Sequence, residues 1–332
     1  MKKVLVTGGS GFVGLALCRR LREAGVRVIA VARGDSEAVA QCGAVMQCGD
    51  LRDRDFLLRA AQGCDTVFHT AAKAGIWGSW QEYYGINVLG TANVIAACRQ
   101  NKTVNLVYTS TPSVVFNQKD IEGGHESLPY SADFLCHYAR TKAIAEEQVL
   151  AANSEALHTT ALRPHLIWGP GDTNLIPRLL ARGRSGKLKQ VGDGENKVDI
   201  SYIDNVVEAH LLAAKSLEKN GRAAGKAYFI SQGEPVSLWP WINGLFERLN
   251  IPKITKKVSY KRAYRAGAML EFAYRLGRID SEPLMTRFLA QQLAKSHWFS
   301  LEQARNDLAY KPEISTEEGI NRLVAWLQGQ SI

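Results

Sequence analysis

The chain has 332 residues, 46% hydrophobic and 22% charged, which are values of an ordinary globular protein able to bury a core without staples. Lysine and arginine outnumber aspartate and glutamate by 41 to 32, a net charge of +9, and no groove-reading motif accompanies it, so a phosphorylated cofactor or an acidic substrate suits it better than nucleic acid. No apolar run of about 18 residues and no leader-like segment is present, so neither a membrane span nor a signal peptide is expected, and a cytoplasmic location is. Cys18, Cys42, Cys48, Cys64, Cys98 and Cys136 form no C-x-x-C pair, and H-E-x-x-H is absent; buried reduced thiols and no metal are expected.

In chain order, short β-branched runs alternate with amphipathic stretches. Strands are expected at Lys3–Thr7, Val26–Ala32, Ala44–Cys48, Thr66–Thr70, Leu106–Ser110 and Thr159–Leu162, each apolar on both faces as buried parallel strands are. Helices are expected at Val13–Ala24, Arg54–Ala61, Tyr84–Gln100 and Tyr138–Ala152. This alternation predicts an α/β fold, a doubly wound parallel Rossmann sheet, with a smaller, interwoven, mostly helical C-terminal substrate lobe. Residues 1–165 form the dinucleotide-binding domain, with return elements near 196–231 (a helix over Asn205–Ser216 and a strand over Ala227–Ile230). Residues 166–195 and 232–332 form the substrate lobe and C-terminal cap.

Between the first strand and first helix, Gly8, Gly11 and Gly14 recur at three-residue spacing. The first permits a tight turn, the second a close backbone approach to pyrophosphate, and the third close helix–strand packing. Ser10, Phe12 and Val13 complete the loop, and the helix N-terminus offers unpaired N–H groups to phosphates. The second strand ends Ala30-Val31-Ala32-Arg33-Gly34. It lacks the acid that an NAD site places there, while Arg33 suits a 2′-phosphate, so NADP(H) is the expected cofactor.

Tyr138 and Lys142 are four residues apart on one helix, so they share a face. An ammonium there is expected to lower the phenol's pKa so that the tyrosine exchanges a proton with a carbonyl or alcohol oxygen. The segment Tyr108-Thr109-Ser110-Thr111-Pro112-Ser113 ends a strand at the carboxyl edge of the sheet and offers several hydroxyls to polarise that oxygen.

These residues resemble the extended short-chain dehydrogenase/reductase family over nearly the whole chain. Thr7 to Gly14 resembles its cofactor loop, Gly49-Asp50-Leu51 its adenine-contacting turn, and His69-Thr70-Ala71-Ala72 the segment that passes the cofactor. Asn87-Val88-Leu89-Gly90-Thr91 resembles its central helix motif, whose asparagine supports the active site, and Leu162-Arg163-Pro164 its nicotinamide-side turn. The resemblance implies cofactor contacts at Asp50, Leu51, Ala71, Ala72, Tyr138, Lys142 and Pro164. It places the catalytic hydroxyl at Thr111, where serine is usual, leaving Ser110 and Ser113 as alternatives.

Within the family the likeness is to the 3β-hydroxysteroid dehydrogenase-like branch, carried by Ala71 to Gly78, Tyr108 to Val114, Arg163 to Asp172 and Gly225 to Ser231. These segments are most similar to bacterial reductases of long-chain olefin biosynthesis. That similarity implies NADPH-dependent reduction of a lipid-like 2-alkyl-3-oxo acid beside the pathway's β-lactone-forming and decarboxylating enzymes. Trp77, Trp80, Trp168, Trp239, Trp241 and Phe272 are candidates for an apolar pocket, and Lys73, Arg178 and Arg182 for its cationic rim. Tyr260 to Arg278 reads as a basic amphipathic helix, expected to cap the pocket, with a membrane surface or partner as the other reading. A homodimer through the Tyr84–Gln100 and Tyr138–Ala152 helices is what the resemblance implies. The rival readings are a hydroxysteroid or sterol dehydrogenase, a non-catalytic NADP-sensing protein and, disfavoured by the missing strand-end acid, a sugar-nucleotide epimerase.

Overall fold

The computed structural model describes residues 1–219 and 221–329. Seven parallel strands, β1 (Lys3–Thr7), β2 (Arg27–Ala32), β3 (Val45–Cys48), β4 (Thr66–His69), β5 (Asn105–Thr109), β6 (His158–Pro164) and β7 (Lys226–Ile230), lie in the order β7-β6-β5-β4-β1-β2-β3. The order reverses between β1 and β4, and the crevice above that switch point is where such sheets take ligands. Both faces are covered because the strands are apolar on both. From β1, Val4 and Val6 point into one core with Leu17 of α1 (Phe12–Glu23), while Leu5 enters a second core with Leu57 of α2 (Arg54–Ala60) and Val94 of α3 (Gly90–Gln100). The catalytic-helix candidate, α4 (His137–Ala151), adds Val149 to the second core, and the return helix α5 (Ile203–Lys219) adds Val207 and Ala213 to the first.

The third expected helix divides. A helical turn at Trp80–Tyr83 runs into a π-helical segment, Tyr84–Leu89, before α3 begins. Such wide turns carry an extra residue and often mark functional sites; here the segment turns Asn87 inward, 2% exposed.

The C-terminal half adds α6 (Leu238–Arg248), α7 (Tyr260–Leu276) and α8 (Arg287–Ala294). It also builds a second sheet, in the order Val236–Ser237, Lys197–Val198, His297–Phe299, Ile121–Gly124. No strand was expected at Ile121–Gly124, because a segment with two glycines has no strand pattern of its own and is held by pairing with His297–Phe299. Cys18, Cys64, Cys98 and Cys136 are buried free thiols, whereas Cys48 is exposed at the end of β3.

Where the chain leaves β1, Gly8 adopts φ +70°, and a Cβ there would stand 2.8 Å from the Ala71 Cα. Gly14 is tighter still, since a Cβ would meet the Gly8 carbonyl oxygen at 2.1 Å. Neither neighbour can give way, because both are backbone. Gly14→Ala is therefore expected to destabilise the fold by about 1–3 kcal/mol, the usual cost of overpacking; urea unfolding measures it, and an unchanged midpoint would contradict the close packing.

Candidate active site

The glycine loop, the ends of β2 and β3 and the segment after β4 enclose a cleft of about 380 Å³ lined by Gly8, Ser10, Gly11, Ala32, Arg33, Asp50, Leu51, Ala71, Ala72, Lys73 and Glu82. All but Ala32, Lys73 and Glu82 are residues that the sequence assigns to the cofactor. Phe12, Val13 and Gly14 form the first turn of α1 behind it; Gly11 caps this turn without a side-chain bond, and no acid occupies it. An uncapped, acid-free N-terminus suits a pyrophosphate. Arg33 is exposed at the rim and makes no ion pair among the described residues, so its fork is free for a phosphate. Asp50 is engaged elsewhere: the hydrogen bonds from Arg52, at 2.9 and 2.7 Å, hold its carboxyl down at about 2. Pro164 is buried at the end of β6, paired with Ile230.

Tyr138, Lys142 and Thr111 come together at the carboxyl end of β5. Tyr138 and Lys142 occupy successive turns of α4, whose first turn has Cys136 as an extended N-cap. Lys142 is 2% exposed, and its Nζ donates to the Thr109 carbonyl at 2.6 Å while lying 4.0 Å from the Tyr108 ring centroid. Burial pulls its pKa down to about 7, against the opposing pull of Glu146. Tyr138 differs from expectation: burial pushes its phenol up to about 12, and the group that pulls it back is the Thr111 hydroxyl rather than the lysine. Thr111 caps a short turn at Pro112–Val114 by accepting from the Ser113 N–H at 3.3 Å, and it donates to the Ser113 hydroxyl at 3.2 Å. The Ser110 hydroxyl is buried without a partner among the described residues. Of the three hydroxyls, Thr111 is the one near enough to the Tyr138 phenol to pull its pKa down.

Sequence reasoning missed the groups that hold this cluster. Glu146 is a further turn along the Tyr138–Lys142 face and fully buried, and Arg163 of β6 meets it with Nη2 at 2.5 Å and Nε at 3.1 Å from both carboxylate oxygens. The Tyr130 hydroxyl donates to the same carboxylate at 2.8 Å. The four-residue spacing from Lys142 was the available signal. His69 is also buried, and burial pushes it down to about 3, so it is neutral. Thr91 donates to the Asn87 carbonyl at 2.6 Å and so accepts from His69 Nε2 at 2.9 Å, which makes His69 Nδ1 the acceptor from Thr7 at 2.7 Å. Asn87 accepts from the Lys73 N–H at 2.7 Å and donates to Thr141 at 3.0 Å, tying the cleft wall to α4.

The expected pocket lining needs correction. Trp168 and Trp239 are buried core, with Trp241 packed on Trp168, and Phe272 points outward, 69% exposed. Arg140 covers Trp80, Lys73 pairs with Glu82, and Arg178 pairs with Glu282. A cavity of about 560 Å³ does open beside α4, lined by Trp77, Cys136, His137, Tyr274, Arg275 and Arg278 among others. Of the expected residues, only Trp77 faces it.

With this geometry in hand, the sequence pattern of the 3-beta hydroxysteroid dehydrogenase/isomerase family matches residues 5–260. The chain belongs to this family. It is 51% identical over 325 residues to a 2-alkyl-3-oxoalkanoate reductase of Stenotrophomonas maltophilia (strain K279a), covering 97% of this chain and 98% of that one. A sterol-4-alpha-carboxylate 3-dehydrogenase (decarboxylating) of Mus musculus is 34% identical, covering 97% and 90%. The solved structure of MoeE5 in complex with UDP-glucose and NAD superposes with a TM-score of 0.76 at 26% identity, covering 99% of this chain and 100% of that one. The chain is thus an oxidoreductase of CH–OH and C=O groups.

Glu146→Gln keeps the shape but leaves the Arg163 guanidinium buried without its counter-charge, so a loss of about 3–5 kcal/mol is expected in urea unfolding. Glu146 is also what raises the Lys142 pKa, so in protein that still folds the alkaline limb of reductive activity, expected near pH 7, should move to lower pH. An unmoved limb would leave Glu146 a purely structural residue.

Proposed function

We propose that this chain reduces 2-alkyl-3-oxoalkanoic acids to 2-alkyl-3-hydroxyalkanoic acids with NADPH, as a step of bacterial long-chain olefin biosynthesis. The observation that supports the reading is the grouping of Thr111, a protonated Tyr138 and a buried Lys142 in a chain whose glycine-loop cleft is rimmed by Arg33. The residues fit the cofactor: the Gly8–Gly14 cradle admits backbone close to a pyrophosphate, and Arg33 offers a fork to a 2′-phosphate. When bound, the nicotinamide supplies a hydride to the carbonyl carbon.

The protein's own part is proton and charge management. A phenol held at about 12 keeps its proton through the neutral range, so Tyr138 is an acid for the oxygen that becomes an alcohol. Thr111 hydrogen-bonds the same oxygen as charge develops on it. Lys142, charged below about pH 7, stabilises the tyrosinate left behind. The acid group of the substrate has partners in Arg275 and Arg278, which line the cavity beside α4. The names of both relatives place a carboxylate one carbon from the reacting carbon, and that shared 3-oxo-acid unit supports an anion site there. The sterol relative keeps a second reading in play, oxidation of a 3-hydroxysterol carboxylate in the same cavity.

Two measurements test this. With a 2-alkyl-3-oxo acid, the protein should oxidise NADPH, and Tyr138→Phe should abolish turnover, by about 10²-fold or more, while retaining NADPH binding. Turnover of a sterol carboxylate alone would transfer the reading to the second substrate, and normal turnover in the variant would overturn the mechanism. Arg33→Ala should weaken NADPH binding roughly tenfold or more, the loss of a charge-assisted hydrogen bond, with NADH binding nearly unchanged; equal losses in a fluorescence titration would remove the phosphate role.

A further inference from the structure

The glycine-loop cleft holds a cation that its sequence motifs did not assign to the cofactor. Four charged side chains line it, Arg33 and Lys73 against Asp50 and Glu82, so the formal charges of the lining cancel. Asp50 is already matched by Arg52, and Arg33 stands at the end of β2, where a 2′-phosphate is expected. The glycine loop itself offers a pyrophosphate N–H groups and no cation. Lys73 follows Ala71 and Ala72. A Cβ on Gly8 would stand 2.8 Å from the Ala71 Cα, and the Ala71 N–H donates to Thr7 at 3.3 Å. The segment that carries Lys73 therefore starts against the glycine loop.

In this structure the ammonium is taken by Glu82, at 2.7 Å, with the two side chains 23% and 45% exposed. The partners are held unequally. Asn87 clamps the Lys73 backbone from both sides, accepting from its N–H at 2.7 Å and donating to its carbonyl at 3.2 Å. The lysine stem runs beside Gly78, whose Cβ would lie 3.4 Å from Cε, and Nζ is 5.2 Å from the Tyr83 ring centroid. Glu82 is exposed on the short turn Trp80–Tyr83, where Ser79 caps its N–H at 3.3 Å and leaves the side chain to move. It has a second cation in range: the Arg52 guanidinium, raised chiefly by its bonds to Asp50, is raised further by Glu82. An exposed ion pair is weak, whereas a phosphate oxygen on an ammonium is a strong, charge-assisted partner. We propose that Glu82 is a stand-in for the cofactor's pyrophosphate, which takes over Lys73 when the dinucleotide binds while Glu82 turns toward Arg52. The exchange keeps Lys73 paired in both states, and it gives cofactor release a competitor that waits at the site. The assignment rests on the nicotinamide-dinucleotide reading of the cleft and is independent of the substrate.

The test is fluorescence titration of the full chain with NADPH and with NADH at one fixed ionic strength. Lys73→Gln should weaken both about tenfold or more and by the same factor, the loss of one charge-assisted contact. Glu82→Gln should tighten both by about two- to fivefold, because the competitor is gone, and should have no effect when Lys73→Gln is already present. Both variants should keep the thermal midpoint of the parent. The opposite signs are what a structural pair would not give, since losing either partner would then weaken binding. Undiminished binding by Lys73→Gln, weaker binding by Glu82→Gln, or tightening that persists without the lysine would overturn the proposal. So would a Lys73→Gln loss confined to NADPH, which would move the ammonium to the 2′-phosphate. A parent that binds neither cofactor would instead sink the reading of the cleft, and this proposal with it.

Discussion

One buried ammonium group sets the terms for the rest of the site. Lys142 lies almost out of water, where an isolated cation is costly, and the protein answers with a carbonyl 2.6 Å away, an aromatic face below it and a carboxylate one turn further on. The carboxylate of Glu146 would itself be costly there, and Arg163 and Tyr130 answer it in turn. The chain of charges runs from α4 into β6 and fixes helix to sheet. It also explains why Lys142 sits at about 7 and not lower: burial drives it down and Glu146 holds it up. The helix that carries Tyr138 and Lys142 is located by its own charges rather than by shape alone.

A second polar chain locates the cofactor side against the first. The Ala71 N–H donates to Thr7, Thr7 to His69, His69 to Thr91, and Thr91 to the Asn87 carbonyl. Each donor is used once in one direction, so the neutral His69 has a single tautomer that fits. The Asn87 side chain then carries the link from Lys73 to Thr141 on α4. The cleft wall and α4 are thereby set relative to each other by hydrogen bonds, with the π-helical segment supplying the residue that joins them.

What the sequence made legible was local. The glycine spacing, the strand-end Arg33, the Tyr138–Lys142 spacing and the seven-strand alternation depend on neighbours within a few residues, and each stands where its pattern put it. What was not legible depends on distant partners. Glu146 needs Arg163, Ile121–Gly124 needs His297–Phe299, and the orientation of α7 needs Thr286 and Arg287. The tryptophans illustrate the same limit: composition cannot tell a pocket wall from a core, and Trp168 and Trp239 are core. The direction of the Tyr138 shift also went astray, because spacing shows that a lysine is near but not how far burial raises the phenol.

The buried tryptophans constrain how the substrate lobe works. Trp168 packs on Tyr202 and Trp241, Phe229 of β7 stacks on Phe299 of the second sheet at 4.1 Å, and His165 beyond β6 donates to His297 at 2.6 Å. His297 accepts at Nδ1 and donates from Nε2 to the Gln292 carbonyl at 3.0 Å, and burial lowers the pKa of both histidines. Sheet and lobe thus share one continuous core, and swinging the lobe open would expose stacked aromatics and unpair buried imidazoles together. That route is closed to a large ligand. The cavity beside α4 lies instead between the Trp77 loop and α7. There Trp77 meets the cap through a Tyr274 edge contact and a hydrogen bond to the Ile279 carbonyl, rather than through a core. The contacts between loop and cap on this side of the cavity are a ring edge, a cation over the Trp77 ring and one hydrogen bond.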